Sequence, residues 1–247
     1  GQTKVMEPNP YEAADTMPQV HYGRLAPTPI QYMMKSYRMI GDKYWLFFGI
    51  VIGGFLIGSL VPFGILLGPM LTGIYLCFLD REAENEVKFD VLFRGFDHFA
   101  PSLLVTLTMM LCNIIISTVF FVLALFCVFG VVGVMQSGNG GPDVPVAILA
   151  VGAVVGYGLL IAVTILTFLP FAFCFQLIAE HKMSAGAAMS TSTRAVLHNL
   201  WPLALTFISF SFFGIAAALL CYFPAFFLMP IQIGATFIVY REIFPRT

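Results

Sequence analysis

Charge is scarce in this sequence, and the places where it is missing carry more information than its sum. Of 247 residues, 10% are Asp, Glu, Lys or Arg and 59% are hydrophobic, whereas a soluble domain carries roughly 25% charged residues. No Asp, Glu, Lys, Arg or His occurs between Tyr44 and Leu79, between Pro101 and Pro142, between Pro145 and Ala179, or between Trp201 and Tyr240. Apolar stretches of that length exclude a soluble globular protein and point to a polytopic membrane protein. Ionisable groups inside the spans, the usual mark of proton relays and ion pumps, are absent. The five cysteines (Cys77, Cys112, Cys127, Cys174, Cys221) all lie in apolar runs, so no disulfide framework is expected.

Catalytic signatures are missing as well. There is no Gly-x-Ser-x-Gly elbow, phosphate-binding glycine loop, His-Glu-x-x-His or pair of intramembrane aspartates, and no basic groove with interleaved aromatics for nucleic acid. The first apolar run begins only at Tyr44 and is followed by no small-residue cleavage pattern, so a signal peptide is not expected.

What the sequence does have is an internal repeat. The stretch from Pro69 to Pro101 returns at an offset of 101 residues: Pro69 falls on Pro170, Asp80-Arg81 on His181-Lys182, Asp97-His98 on His198-Asn199, and Pro101 on Pro202, with Cys77 near Cys174. A partial third copy at an offset of 161 sets Pro230, Gly234 and Arg241 against Pro69, Gly73 and Asp80.

The expected fold is an all-α integral membrane protein of six transmembrane helices arranged as three hairpins, each preceded by a cytosolic amphipathic helix. Residues 1–27, polar and holding Pro8, Pro10, Pro18 and Pro27, form a flexible cytosolic tail, and 28–247 a single membrane domain. The amphipathic helices fall at about 29–43, 84–99 and 184–199, and the spans at about 44–61, 63–80, 101–134, 145–181, 201–221 and 224–241. The runs 101–136 and 145–182 exceed one upright span, so each is either a long helix or a hairpin. Turns are marked by Pro62 and Gly64, by 137–143, and by Tyr222 to Pro224.

The first amphipathic helix, opened by Thr28-Pro29, groups Ile30, Met33, Met34, Tyr37 and Ile40 opposite Gln31, Lys35, Arg38 and Asp42. It suits either the membrane interface or the protein's own surface. In the second, Phe89, Leu92, Phe93 and Phe96 oppose Lys88, Asp90, Arg94 and Asp97. In the third, Ser184 caps a helix with Ala185, Ala188, Met189, Ser192, Ala195 and Val196 on one face. All twelve Lys and Arg fall in the tail, the connectors or the C-terminus, which places both termini in the cytoplasm. Trp45 and Trp201 are expected at the same membrane boundary.

Pro69, Pro170 and Pro230 each precede a charged exit by 11 residues, near the bilayer midplane, and are candidate cavity or hinge positions. Gly49, Gly53, Gly54, Gly58, Gly64, Gly68, Gly152 and Gly156 stand at four-residue spacings and are candidate packing positions within the bundle or against a partner. His98, His181 and His198, with Asp80, Asp97 and Glu180, are donors that a pseudo-symmetric arrangement would bring together; no ligand pair has metal-site spacing, and no metal or other cofactor is assigned.

Residues 168–202, from Phe168-Leu169-Pro170 through Glu180-His181-Lys182 to His198-Asn199-Leu200-Trp201-Pro202, together with Tyr240-Arg241-Glu242-Ile243-Phe244, resemble a family of uncharacterised bacterial multi-pass membrane proteins. That family is similar to the membrane domain sometimes fused to glycerophosphodiester phosphodiesterases. The resemblance covers most of 30–245 and implies cytoplasmic termini in a bacterial inner membrane; it supplies no catalytic residues. The expected function is a non-enzymatic scaffold or accessory subunit that meets the lipid bilayer and either a protein partner or a second copy. A permease or channel for a neutral or amphiphilic solute is the alternative, and a membrane-embedded lipid-processing enzyme the third.

Overall fold

Apolar runs this long must satisfy their backbone polar groups internally, and helices do so within one segment. The computed structural model, which describes residues 23–26, 28–136, 143–220 and 223–246, is all-helical among those residues. Nine α-helices follow in order: α1 (Pro29–Ile40), α2 (Tyr44–Ser59), α3 (Leu67–Glu82), α4 (Phe99–Gln136), α5 (Asp143–Phe168), α6 (Cys174–His181), α7 (Ala185–His198), α8 (Leu200–Leu219) and α9 (Phe223–Ile243). Between α3 and α4 lies a 3-10 segment, Phe89–His98. The expected tail up to residue 22 and the turns at 137–142 and 222 lie outside the described residues.

Among the described residues, five helical stretches are long and apolar enough to cross a membrane: Pro29–Ser59, Phe89–Gly130, Gly158–His181, Leu200–Leu219 and Phe223–Ile243. The expected second span, 63–80, is not among them. It forms the 16-residue α3, about 24 Å at 1.5 Å per residue, short of a core of roughly 30 Å. The run 101–136 lies in a single helix, since α4 continues unbroken for 38 residues, whereas 145–182 is divided between the 26-residue α5, a 3-10 turn at Leu169–Phe171 and α6.

Two compact units emerge. One holds the chain up to Leu107 and from Leu169 onward, and the other is Thr108–Phe168. In the first unit α2 and α3 pair antiparallel, with Gly58 against Leu67, Gly54 against Ile74, and the rings of Phe47 and Phe78 4.8 Å apart. Likewise α8 and α9 pair through Gln232, which donates to the Phe210 carbonyl at 2.9 Å.

The repeat in the sequence is a repeat in the packing. Four residues beyond each repeated proline sits Gly73, Cys174 or Gly234, and there another element crosses close by. At Gly73 it is the 3-10 segment: a Cβ on Gly73 would come within 2.8 Å of the Leu92 carbonyl carbon, and one on Gly95 within 2.7 Å of the Gly73 nitrogen. Beside Cys174 it is α7, where the Phe173 amide donates to Ser192 Oγ at 3.3 Å. At Gly234 it is α1, whose buried Ser36 hydroxyl lies where a Cβ would go. The third crossing joins the two ends of the chain.

Of the two settings expected for α1, it takes the protein's own surface, with a different face turned inward. Tyr32, Ser36 and Ile40 face the body, while Ile30, Met34 and Tyr37 are exposed. The helix runs antiparallel along α9, with Tyr32 and Lys35 at Glu242 and the following Tyr44 donating to the Phe227 carbonyl at 2.6 Å. A six-span layout separates Tyr44 and Phe227 by most of a bilayer, so the contact is incompatible with that arrangement of α2 and α9. Hydropathy failed here because a small serine on a polar-looking face is what admits a neighbouring glycine backbone.

The other connectors follow the same rule. Val91, Leu92, Gly95 and His98 of the 3-10 segment are buried, while Phe89, Phe93, Phe96 and the following Phe99 face outward. On α7 the buried set is Ala185, Ala188, Ser192, Ala195 and Val196, and Ser184 caps the helix by accepting from the Ala187 amide at 3.4 Å. Trp45 and Trp201 are exposed, at 71% and 74%. Residues 23–26 are held in place: Asn199, buried itself, accepts from the Leu25 amide at 3.1 Å and donates to the Gly23 carbonyl at 2.9 Å.

Candidate functional site

The three prolines do not share one structural role. Pro69 sits in the first turn of α3 and Pro230 lies inside α9, both buried. Pro170 falls in a 3-10 turn, Leu169–Phe171, where the chain breaks between α5 and α6. Beside Pro69 and Pro170 the chain is buried, at Met70, Thr72, Gly73 and Ile74 and throughout residues 171–179, whereas the neighbours of Pro230 are half-buried.

Within that core, the two repeat-equivalent polar side chains find each other. Tyr75 and Gln176, 101 residues apart in the sequence, lie on α3 and α6. With the Gln176 amide oriented toward its acceptors, its nitrogen donates to the Ala172 carbonyl at 2.9 Å and its oxygen accepts from Tyr75 at 3.2 Å. A buried amide satisfied in this way fixes the register of the two helices. Thr72 and Ser102 share a second buried hydrogen bond at 2.7 Å.

The candidate glycines divide. Gly54, Gly58 and Gly68 sit at close approaches, to Ile74, Leu67 and Ser102 respectively, and Gly53 meets the Phe89 ring. Gly64 adopts a left-handed conformation with φ 59 in the turn before α3, which favours glycine. Gly49, Gly152 and Gly156 have open space where a Cβ would be. The tight contacts at Gly73, Gly95 and Gly234 escape a search for four-residue spacings, because each glycine meets another element of the chain. The repeat alignment, which matched Gly73 with Gly234, was the signal that located two of them.

The ionisable candidates arrange differently from a metal centre. His98 is buried in the 3-10 segment with no hydrogen-bond partner on Nδ1. His181 Nε2 lies 3.8 Å from the neighbouring Glu180, and His198 is exposed at the end of α7. Asp80 accepts a hydrogen bond from Asn85 at 3.4 Å, and Asp97 is exposed. Among the described residues, no group of three or more His, Cys, Asp or Glu is arranged to hold a metal ion.

Sequence reasoning missed the principal charge cluster. Arg241, near the end of α9, donates from Nε to Glu82 at 2.7 Å and from one terminal nitrogen to both oxygens of Glu180 at 2.8 Å. Tyr240 donates to Glu180 at 2.6 Å, and Arg246 adds looser pairs to Glu82 at 3.3 Å and Glu180 at 3.5 Å. The cluster ties the charged ends of α3, α6 and α9 together. It is neutralised internally and offers no free acid or base, so its geometry suits a clamp and not proton transfer.

The structure has two clefts, of which the polar one adjoins this cluster at Glu82. A polar one of about 670 Å³ is lined by Arg38, Met39, Lys43, Arg81, Glu82 and the loop Glu84–Glu86. An apolar one of about 430 Å³ is lined by Tyr37, Tyr44, Trp45, Pro224, Phe227 and Ile231 among others. Pro69 and Pro170 line neither, whereas the apolar one is bordered by Leu228 and Ile231, on either side of Pro230.

In the second unit α4 is apolar on every side, with Leu111, Ile114, Val119, Phe121, Phe126 and Phe129 exposed. Comparison with protein-family models, with curated proteins and with solved structures found no match to this chain.

Proposed function

We propose that the chain is a non-enzymatic membrane scaffold or accessory subunit, whose first unit is a rigid body and whose second unit is the surface offered to an integral membrane partner. The observation that carries this reading is α4. A helix that packs on its own protein buries one side, and a surface helix shows a polar side; from Phe121 to Gly133 α4 does neither, since every described side chain there is exposed and apolar. From Thr108 to Gln136 it extends about 43 Å at 1.5 Å per residue. A hydrocarbon core of about 30 Å would cover that length only at a tilt near 45°, beyond the usual range of roughly 0–40°, so a second apolar surface is the better cover.

A permease would need a polar path at the depth of Pro69, Pro170 and Pro230; the buried residues beside Pro69 and Pro170, and the apolar lining of the cleft beside Pro230, favour the scaffold. The concentration of Lys and Arg in the connectors and termini supports cytoplasmic termini in a bacterial inner membrane. The test is purification of the full chain in mild detergent, with a photo-crosslinking residue at Phe126, followed by mass spectrometry of the adducts. A membrane protein or a second copy crosslinked at Phe126 is expected; a monomer crosslinked only to lipid overturns the reading.

A further inference from the structure

The two clefts share one stretch of chain, with Arg38, Met39 and Lys43 lining the polar one and Tyr37, Gly41, Asp42, Tyr44 and Trp45 the apolar one, and they differ in kind. Arg38 and Lys43 stand on one wall of the polar cleft, with Glu84 and Glu86 across from them. Arg81, between the walls, is already committed: its Nε donates to the Met39 carbonyl at 2.8 Å, and its guanidinium pairs with Asp42. Glu86 is paired with Lys88 at 3.2 Å. Arg38, Lys43 and Glu84 have no ion-pair partner among the described residues, so the cleft holds two unmatched cations facing one unmatched carboxylate. Asp42, the other half of the Arg81 pair, lines the apolar cleft. The Arg81–Asp42 bridge therefore stands between a charged pocket and an aromatic one.

We propose that the paired clefts form one binding site for a glycerophospholipid with a primary-amine headgroup. Its phosphodiester sits between Arg38 and Lys43, its ammonium on Glu84, and the start of an acyl chain against Tyr37, Tyr44, Trp45 and Phe227. Arginine and lysine are the side chains that recognise phosphate oxygens, and an ammonium supplies the N–H donors that a carboxylate acceptor needs. Both clefts fall in the size range of small-molecule sites, and Tyr and Trp are the residues found where headgroup meets hydrocarbon. The charge pattern selects among lipids. A phosphatidylglycerol leaves Glu84 without a cation, and a phosphatidylcholine presents a quaternary nitrogen with no N–H to donate. The site is independent of the scaffold reading and survives its failure.

Native mass spectrometry of the full chain, titrated with dioleoyl phosphatidylethanolamine, phosphatidylcholine or phosphatidylglycerol, tests the proposal. The phosphatidylethanolamine adduct is expected at least about tenfold tighter than either of the others, a difference on the order of one charge-assisted hydrogen bond. Arg38→Ala with Lys43→Ala should weaken it about tenfold, with melting little changed because neither side chain has an ion-pair partner among the described residues. Glu84→Gln should erase the preference over phosphatidylcholine while leaving total lipid binding, and Arg194→Ala on α7 should change nothing. Equal binding of the three lipids overturns the proposal, as does full binding by the folded double variant. Should the double variant fail to fold, an unchanged preference in Glu84→Gln overturns it alone. Displacement of the lipid by equimolar glycerophosphoethanolamine would make the ligand a soluble phosphoethanolamine compound and overturn the lipid assignment.

Discussion

The closest test of the fold is the crossing of α1 and α9, where Gly234 meets Ser36. A Cβ added at Gly234 would stand 2.9 Å from Cε1 of Phe78 and closer still to the Ser36 hydroxyl. Two terms compete in Gly234→Ala. Alanine in place of glycine within a helix gains up to about 1 kcal/mol, whereas forcing a methyl into a packed contact costs about 1–3 kcal/mol. The overlap is with a side chain held by its own helix, so the second term wins and a net loss of about 1–2 kcal/mol is expected. Ser36→Gly alone should cost about 1 kcal/mol through backbone entropy. Combined, the two changes make room for each other, and the double variant should be less destabilised than the sum by more than about 1 kcal/mol. Equilibrium unfolding in mixed micelles, followed by circular dichroism, measures all four corners of the cycle. Gly152→Ala, with open space at the Cβ position, serves as control and should be neutral or stabilising. Additive costs at Gly234 and Ser36 would refute the crossing, and with it the pairing of the chain's two ends.

The remaining expectations concern the polar contacts. Arg241→Ala leaves Glu82 and Glu180, whose side chains are 28% and 15% exposed, without their main cation; a loss approaching the roughly 3–5 kcal/mol typical of a broken buried pair is expected, read as a lowered unfolding midpoint. Lys35→Ala, whose partner Glu242 is reached from a solvent-exposed position, should shift the same midpoint by less than about 1 kcal/mol. Asn199→Ala removes both bonds to the strap at Gly23 and Leu25, so tryptic cleavage after the exposed Arg24 should accelerate several-fold over wild type. Tyr75→Phe leaves the Gln176 oxygen buried without its donor and should cost about 1–3 kcal/mol, while Tyr75→Phe with Gln176→Leu should recover part of that loss.

How much of this was legible in the sequence depends on the kind of signal. The repeat was, because Pro69, Pro170 and Pro230 and the small residues four positions on recur at fixed offsets, and the packing repeats with them. The apolar stretches were too, since hydropathy reports the medium a segment tolerates. It does not report which neighbour the segment touches, and that is where the expected layout failed. Tyr44 and Phe227 lie at the starts of two apolar runs, which reads as opposite membrane faces, yet they share a hydrogen bond. Glu82, Glu180 and Arg241 come from three separate copies of the repeat, and nothing local in any copy indicates that its charge is matched by the others. The polar cleft was illegible for the same reason, since Arg38 and Lys43 belong to one connector and Glu84 to the next.

The third copy looked partial in the sequence because its partner lies at the other end of the chain. α3 is crossed by the 3-10 segment that follows it, and α6 by α7, which follows it; α9 is crossed by α1, which comes first. The cycle closes through Tyr32 and Lys35 at Glu242, and through the Gly23 amide donating to the Ile243 carbonyl at 3.1 Å. α1 therefore stands to α9 as the 3-10 segment stands to α3 and α7 to α6, and is not an appendage. A chain beginning at Tyr44 would leave the Gly234 groove empty, and Pro230, Ala235 and Phe237, now buried, beside unfilled space. Loss of several large contacts at about 2–5 kcal/mol each is comparable with the whole stability of a domain. The truncated chain should fail to give a monodisperse micellar species on size-exclusion chromatography. A peptide spanning residues 23–43, added during refolding, should restore that species, because the two pieces meet without a covalent requirement at their junction with α9. A truncated chain that folds unaided would show that the ends of the protein are neighbours without being parts of one repeat.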